Sequence, residues 1–376
     1  MEGKNIMNKF LKGAAAALLS ITMLAGCSSD ASSAPASTGT ASSAAASTPA
    51  SSAAAPASSE ATTPAASDDL STKKVGICIY QFSDNFMTLF RNELESYLIS
   101  QGFAKENITI VDGKNDQSEQ TGQISNFITQ GVDVLIINPV NSSSAETITD
   151  MVVEAGIPLV YINREPDEAE QSRWTDWNVT YVGADARQSG TMQGEIIADL
   201  GLDAVDFNGN GKIDYIMIKG DPENVDAQYR TEFSIKALQD AGLEVNKVDE
   251  QVGMWQQEQG QSLVANSLAQ YDKDVEVVFC NNDAMAMGAK EAIETAGRVV
   301  GKDIYLVGVD ALTQACEAIL DGTMTGTVFN DHIAQSHGAA DAAIAFIKGE
   351  KVDKKIVCDY VKVTADNAQE ILDSLK

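Results

Sequence analysis

Short apolar runs alternate with longer segments of helical periodicity from Lys73 to the end of the chain, and this alternation most constrains the fold. The runs lie at 75–80, 108–111, 134–138, 158–163, 181–185, 215–220, 275–281, 304–310 and 326–331. Strands that are apolar nearly throughout are typical of parallel sheets with helices on both faces. These runs are too many for one doubly wound domain of ordinary size. The sequence therefore predicts an α/β protein with two lobes, each a parallel sheet flanked by helices.

Polar residues recur just past the ends of these runs. They are Asp84, Asn163, Asp226, Asn282, Asp310 and Asn330. Ligands of open parallel α/β sheets bind outside the carboxyl ends of the strands, so we expect these side chains to converge on one site. Short amide and carboxylate groups suit an uncharged, polyhydroxylated ligand. The alternative is that Asn and Asp favour strand-end turns and helix N-caps, and for any single one of them this alternative is the stronger.

Residues 1–26 have the pattern of a signal peptide. Three lysines precede an apolar run at 14–26 that is too short to span a bilayer. The run leads into L-A-G-C at 24–27, which resembles the bacterial lipobox, so we expect Cys27 to be diacylated and to anchor the chain. An ordinary secretory signal with a chance cysteine is the alternative.

The segment that follows is a low-complexity tract. Of the 42 residues at 28–69, 37 are Ala, Ser, Thr or Pro, and none is aromatic or branched apolar. With nothing to bury, residues 27–72 are predicted to be a lipidated cysteine and a disordered tether. The expected location is the outer face of the cell membrane, on a Gram-positive surface or in a periplasm.

Charge and residue usage exclude several classes of function. The chain has 26 Lys+Arg against 54 Asp+Glu, a net charge of −28, which disfavours nucleic acid as a partner. It has two histidines, His332 and His337, and no CxxC spacing, so a zinc site and Cys–His catalysis are not expected. Nucleotide-binding and hydrolase motifs are absent from the sequence. Their absence predicts a protein that is not an enzyme. The disulfide state of the other cysteines stays open; they are Cys78, Cys280, Cys316 and Cys358.

A separate loop has the spacing of a calcium site. Residues 206–214 read D-F-N-G-N-G-K-I-D and match the first nine positions of an EF-hand loop. The candidate ligands are Asp206, Asn208, Asn210, the carbonyl of Lys212, and Asp214. Position 12 is Met217 where a bidentate Glu is needed, so another segment must supply the last ligand. An Asn/Gly-rich turn without metal is the alternative.

These residues together resemble the bacterial periplasmic D-galactose/D-glucose-binding proteins of ABC importers, over essentially all of residues 74–376. The blocks that carry the resemblance include D-N-F-M at 84–87, N-R-E-P at 163–166, N-N-D-A-M-A-M-G at 281–288 and G-V-D-A at 308–311. The resemblance implies a type I periplasmic-binding-protein fold hinged by three crossing strands, with the sugar in the cleft between lobes. It implies an N-terminal lobe of 73–182 plus 332–360 and a C-terminal lobe of 183–331 plus 361–376.

The resemblance also implies roles for individual residues. Phe86 and Trp255 match the aromatics that sandwich the sugar ring, whereas periodicity alone leaves Phe86 equally suited to the core. Glu276 matches the missing calcium ligand. The hydrogen-bonding set implied by the family is Asp84, Asn163, Asp226, Arg230, Asn282, Asp310 and Asn330. Asn224 stands where the family usually has a His that contacts the sugar.

The sequence therefore predicts a monomeric, lipid-anchored receptor that captures D-galactose or D-glucose, uses a structural calcium ion, and delivers the sugar to an ABC permease. A receptor for xylose, ribose or a methyl-galactoside is the first alternative. A sugar-sensing signalling protein, a sugar-responsive transcription regulator and an exported glycosidase are weaker alternatives.

Overall fold

The computed structural model describes residues 69–175 and 178–375. The predicted signal peptide, the predicted lipidation site Cys27 and the predicted tether up to residue 68 lie outside the described residues. The strands are β1 (Val75–Ile79), β2 (Ile108–Asp112), β3 (Val134–Ile137), β4 (Leu159–Ile162), β5 (Val179–Gly183), β6 (Ile213–Lys219), β7 (Val245–Val252), β8 (Val277–Cys280), β9 (Tyr305–Val307), β10 (Thr327–Phe329), β11 (Lys355–Val357) and β12 (Val361–Val363).

The α-helices connect these strands. They are α1 (Asn85–Ser100), α2 (Gln117–Gln130), α3 (Ala145–Glu154), α4 (Glu168–Arg173), α5 (Ala186–Ala198), α6 (Leu202–Val205), α7 (Val225–Asp240), α8 (Gln257–Tyr271), α9 (Asp283–Thr295), α10 (Thr313–Leu320), α11 (His332–Ile347) and α12 (Ala368–Ser374). Among the described residues, no helix is long and apolar enough to cross a membrane.

Two separate parallel sheets form the two lobes. The first has the strand order β11-β5-β4-β3-β1-β2, and the second has the order β7-β6-β8-β9. An antiparallel pair, β10-β12, lies beside the second sheet, where Asp310 bridges to Phe329. The prediction of a two-lobed α/β fold with parallel sheets is confirmed.

Alternating side chains of each strand enter two cores, one on each face of the sheet. In β1, Ile77 and Ile79 pack with helices α1 and α11, whereas Cys78 packs with α2 and α3. The second sheet is covered in the same way, by α8, α9 and α10 on one face and by α5 and α7 on the other. This double covering explains why most of the strands are apolar throughout.

The chain crosses between the lobes three times. It leaves the first sheet after β5 to enter α5, returns after β10 to enter α11, and crosses again between β11 and β12. Residues from both lobes therefore flank the space between the two sheets.

Three strands were missing from the sequence prediction, namely β7, β11 and β12. Each lies at the edge of its sheet or pair and has few or no buried residues. A half-exposed edge strand needs no continuous apolar run, so it lacks the signal that identified the others. The four cysteines of the described chain are free, and those at 78, 280 and 316 are buried.

Candidate functional site

One cavity between the lobes, at the carboxyl ends of strands from both sheets, is lined by all ten residues that the sequence predicts to bind a ligand. They are Asp84, Phe86, Asn163, Asn224, Asp226, Arg230, Trp255, Asn282, Asp310 and Asn330. Tyr80 lines the cavity with them. Its free volume is about 30 Å³, room for only a few water molecules. A larger ligand therefore enters only when the lobes separate.

Asp84 is held in place from two sides. It is the N-cap of α1, and its Oδ1 accepts a hydrogen bond of 2.7 Å from the backbone N–H of Met87. Its Oδ2 accepts one of 2.7 Å from the hydroxyl of Tyr80. These bonds fix the carboxylate at the cavity wall and leave its remaining lone pairs for a ligand. Tyr80 belongs to the site although it is not among the predicted ligand-binding residues.

Phe86 satisfies both interpretations that the sequence left open. It lies on the buried stripe of α1 beside Phe90, with ring centroids 6.3 Å apart, and it also faces the cavity. The imidazole of His332 meets its ring edge to face at 6.4 Å. One ring therefore closes the core and presents an apolar surface to the cavity.

Asn163 turns into the cavity because its backbone is left-handed, with φ of 60°. Its carbonyl accepts a hydrogen bond of 2.9 Å from the hydroxyl of Tyr181, and its side-chain oxygen accepts one of 3.2 Å from Asn138 Nδ2. Asn138 is fully buried at the end of β3 and also accepts from the backbone N–H of Tyr80 at 3.3 Å. Asn138 thus positions two cavity residues, and the sequence signal for it was an Asn directly after an apolar run.

Trp255 is placed by an unusual backbone and by a glycine. Both Met254 and Trp255 have positive φ, at 50° and 66°. The indole lies against Gly220, where an added Cβ would be 2.2 Å from the ring. Asn282 Nδ2 donates to the Trp255 carbonyl at 3.3 Å, and the buried indole Nε1 has no hydrogen-bond partner. The ring is therefore fixed, with one donor unused.

Asn224 and Asn282 are helix N-caps as well as cavity residues. Asn224 accepts a hydrogen bond of 2.9 Å from the backbone N–H of Asp226 at the start of α7. Asn282 accepts one of 3.0 Å from Met285 at the start of α9. The capping interpretation is thus correct for Asn282, and for both residues capping fixes the side chain at the cavity rather than competing with that role.

Of the described residues, Arg230 is the one cation in the cavity wall. Its Nη1 donates to the Asn281 carbonyl at 2.8 Å and its Nη2 to the Tyr360 hydroxyl at 3.1 Å, while Nε has no partner. The carboxylates of Asp226 and Asp310 lie 4.0 and 3.9 Å away. Burial works against its charge, but Tyr360, Asp310 and Asp226 outweigh that effect and hold its pKa above the ordinary value.

The two acids beside Arg230 are strongly desolvated. Burial raises the pKa of Asp226 to about 6, against the opposing effect of Arg230. Burial also raises the pKa of Asp310 well above its usual range. Asn330 Nδ2 donates to Asp310 at 3.3 Å, and buried Gln335 donates to Asn330 at 2.6 Å.

The cavity presents carboxylate acceptors together with amide and guanidinium donors between two aromatic surfaces. Three carboxyl groups face one guanidinium, which disfavours an anionic ligand and suits one that carries several hydroxyl donors. Among the described residues that line it, none is a Ser, Cys, His or Lys that would serve as a nucleophile. The arrangement is suited to binding.

The structure brings only some of the predicted calcium ligands close to one another. Asp214 Oδ2 accepts hydrogen bonds from the amides of Asn208 at 2.7 Å and Asn210 at 2.6 Å, and Glu276 accepts from two backbone N–H groups of the loop region at 3.0 Å. The carboxylate of Asp206 instead accepts from the backbone N–H groups of residues 209–211.

The chemistry of this donor set fits calcium, because all the candidate ligands offer oxygen. Glu276 reaches the loop from β8's amino end, 62 residues away from Asp214 in sequence, as the resemblance implies. Burial and the nearby Asp214 raise the pKa of Glu276, and a cation would relieve that effect. In the described chain, no three His, Cys, Asp or Glu side chains already form a group able to hold a metal.

The chain matches the periplasmic binding protein domain over residues 75–351. It is 32% identical to the D-galactose/methyl-galactoside binding periplasmic protein MglB of Haemophilus influenzae, over 80% of this chain and 92% of that protein. It is 30% identical to the ribose import binding protein RbsB of Bacillus subtilis, over 75% of this chain and 84% of that protein. A solved solute-binding protein of an ABC transporter from Bacillus halodurans, with bound myo-inositol, is 28% identical, with a TM-score of 0.70 over 81% of this chain and 99% of that one. The chain therefore belongs to the periplasmic binding protein family, and it is a solute-binding protein and not an enzyme.

Proposed function

We propose that this protein captures D-galactose or D-glucose in the cavity between its lobes. At the coarser level, family membership and the sugar-binding relatives make it an extracytoplasmic sugar-binding protein of ABC transport. The observation that carries the finer proposal is the pairing of two aromatic surfaces, Phe86 and Trp255, with a ring of hydrogen-bonding groups. The C–H faces of a pyranose pack on flat aromatic rings while its hydroxyls reach the polar groups between them.

The polar groups of the cavity offer both acceptors and donors to the hydroxyls of a sugar. Asp84, with free lone pairs beyond its two hydrogen bonds, accepts from a hydroxyl and accommodates either epimer at one carbon. Arg230 Nε and Trp255 Nε1, both buried and unpartnered, are donors that a ring or hydroxyl oxygen satisfies. Leaving such groups unpaired is costly, so an analogue that lacks a matching hydroxyl is expected to bind weakly.

Asn224 is the main reason to test several sugars. It caps α7, so its side-chain oxygen is already engaged with the Asp226 backbone. Its amide N–H groups and the second lone pair of that oxygen remain for the ligand, at a position where the family resemblance implies an imidazole. Xylose, ribose and methyl-galactosides therefore stay alternative ligands.

The same proposal includes a lipid anchor, a tether, an ABC permease as partner and a bound calcium ion. Cys27 would carry the lipid anchor, the segment 27–72 would act as a tether, and the lobes would present the sugar to ABC permease subunits as a monomer. Calcium would be held by Asp206, Asn208, Asn210, the Lys212 carbonyl, Asp214 and Glu276. When bound, it would supply positive charge that stabilises the loop and plays no part in sugar capture.

Isothermal titration of the purified, calcium-loaded protein tests this proposal. We expect one-to-one binding of D-galactose or D-glucose at micromolar strength or better, with D-xylose, D-ribose and myo-inositol weaker. Trp255→Ala is expected to weaken hexose binding at least tenfold because it removes one stacking surface. Binding of only a pentose or only myo-inositol would overturn the choice of hexose, and no binding of any of the five would overturn the sugar-receptor role.

A further inference from the structure

One buried ion pair joins the two lobes outside the ligand cavity. Arg164 follows β4 in the first lobe and Asp221 follows β6 in the second, and Arg164 Nη2 lies 3.5 Å from Asp221 Oδ2. Their side chains are 1% and 7% exposed, so the contact is shielded from water and salt. Neither residue lines the cavity with the ligand-binding set.

Each partner is fixed within its own lobe. The guanidinium of Arg164 stacks 3.8 Å above the ring of Tyr80, and its Nη1 donates to the Val140 carbonyl. Asp221 accepts a hydrogen bond of 2.9 Å from the backbone N–H of Glu223. Because both side chains are held before they meet, little side-chain entropy opposes the pair.

The same contacts connect the pair to the ligand cavity. Tyr80, on which Arg164 stacks, lines the cavity and donates its hydroxyl to Asp84. An unbroken series of contacts therefore runs from Asp221 of the second lobe through Arg164 and Tyr80 to the carboxylate of Asp84.

The guanidinium depends on its partner across the cleft. Nε and Nη2 of Arg164 are buried without hydrogen-bond partners, and the carboxylate of Asp221 lies within ion-pair distance of Nη2. Removing one member of a buried pair leaves an uncompensated charge. When the lobes open, water reaches both groups, so the pair stabilises only the closed arrangement.

We infer that Arg164 and Asp221 are positioning residues that form a latch between the lobes and set the rate at which a bound ligand escapes. The narrow cavity releases its ligand only when the lobes part, and parting breaks this ion pair. The link to sugar release rests on the proposed function, whereas the link to lobe opening does not.

Stopped-flow dissociation of the preferred hexose from the full protein tests the latch. Asp221→Asn and Arg164→Gln are each expected to raise the dissociation rate about tenfold, which is about 1.4 kcal/mol. The double variant is expected to dissociate no faster than the faster single variant, because both changes remove one interaction. Arg164→Lys, which keeps the charge, is expected to restore part of the slow rate.

Glu223→Gln is the matched control. It removes one negative charge from the same loop. Glu223 is exposed, however, and its hydrogen bond from Asn141 across the cleft is long and therefore weak, at 3.5 Å. Its dissociation rate is expected to stay within about twofold of the unaltered protein. Equal effects of Glu223→Gln and Asp221→Asn, or additive effects of the two latch variants, would overturn the proposal.

Small-angle scattering of the ligand-free protein separates the latch from the sugar proposal. Asp221→Asn is expected to increase the radius of gyration relative to the unaltered protein, since the open arrangement gains population. If no sugar binds but this increase is seen, the latch stands and the sugar assignment fails. If sugar binds and neither the radius nor the dissociation rate changes, the latch is wrong.

Discussion

At the scale of single residues, several cavity residues have a backbone conformation that residues other than glycine rarely adopt. Asn163, Trp255 and Asp310 all have positive φ, at 60°, 66° and 122°. Such conformations are strained for residues other than glycine, and they concentrate at functional sites. The strain is offset locally by hydrogen bonds such as those to the carbonyls of Asn163 and Trp255. Each residue is turned away from regular structure so that its side chain enters the cavity.

Gly220 is predicted to be required for the position of Trp255. In Gly220→Ala the new Cβ would lie 2.2 Å from the indole, so the ring must shift. We expect hexose affinity to fall at least tenfold in titration calorimetry, with a change in tryptophan emission. Gly122→Ala, where a Cβ meets nothing within 4 Å, is the control and is expected to bind normally. Normal affinity in Gly220→Ala would show that the indole position does not limit binding.

The raised pKa of Asp226, about 6, predicts that sugar affinity depends on pH. A sugar hydroxyl donated to this carboxylate favours its charged form, so the sugar and the proton compete. Affinity is expected to be constant above about pH 7 and to fall up to about tenfold per pH unit below 6. Calorimetry between pH 5 and 8 measures this, and Asp226→Asn should lose the step near pH 6. A step that persists in Asp226→Asn would assign the titration to another group, such as Asp310.

At the scale of elements, helices approach one another through glycines. Helix α5 packs on α7, and a Cβ at Gly194 would lie 2.2 Å from the Ser234 carbonyl oxygen. Helices α8 and α9 meet in the same way at Gly260 and Gly288, whose added Cβ atoms would strike backbone atoms. Because α7 carries Asp226 and Arg230 and α9 is capped by Asn282, these close approaches place the cavity side chains.

The loop between α6 and β6 is predicted to depend on calcium. Chelation is expected to lower the melting temperature by roughly 5–10 °C, because the carboxylates of Asp214 and Glu276 would lose their compensating charge. Differential scanning calorimetry with calcium and with chelator measures the change. Glu276→Gln should abolish the response to chelator. Glu244→Gln, an exposed acid beside Lys212 outside the ligand set, should keep it. The same melting temperature in both conditions for the unaltered protein would contradict the calcium site.

At the scale of the whole molecule, three chain crossings connect two lobes whose facing edges share one cavity. A ligand that contacts both lobes stabilises the closed arrangement by its differential affinity for it. The Arg164–Asp221 pair adds a contact to that arrangement without touching the ligand cavity. Closure and binding are therefore coupled through contacts that exist only when the lobes meet.

Ligand binding is predicted to protect the whole protein from unfolding. At a sugar concentration of 100 times Kd, the free energy of unfolding should rise by about 2.7 kcal/mol, a shift of several degrees in Tm. Thermal unfolding with D-glucose, D-galactose and the mirror-image control L-glucose measures this. An equal shift with L-glucose would indicate a non-specific solute effect.

The fold class and most of the candidate cavity could be predicted from the amino-acid pattern alone. Nine apolar runs all became strands. The central strands must be apolar along their length because both of their faces are buried, whereas the edge strand β2 has one buried residue. The polar residues that follow those strands line one cavity, since the carboxyl ends of strands in both lobes face the space between the lobes. Edge strands such as β7 escaped prediction because their exposed residues carry no such pattern.

The residues that orient the cavity side chains from distant segments became visible in the folded structure. Tyr80 and Asn138 orient Asp84 and Asn163 through contacts between segments separated in sequence, and no local pattern encodes such pairs. The same holds for Gly220 beneath Trp255 and for the Arg164–Asp221 pair across the cleft. Hydrophobic periodicity indicates which face of one segment is buried and which is exposed to water. These contacts instead depend on where two segments that are distant in sequence lie in the fold.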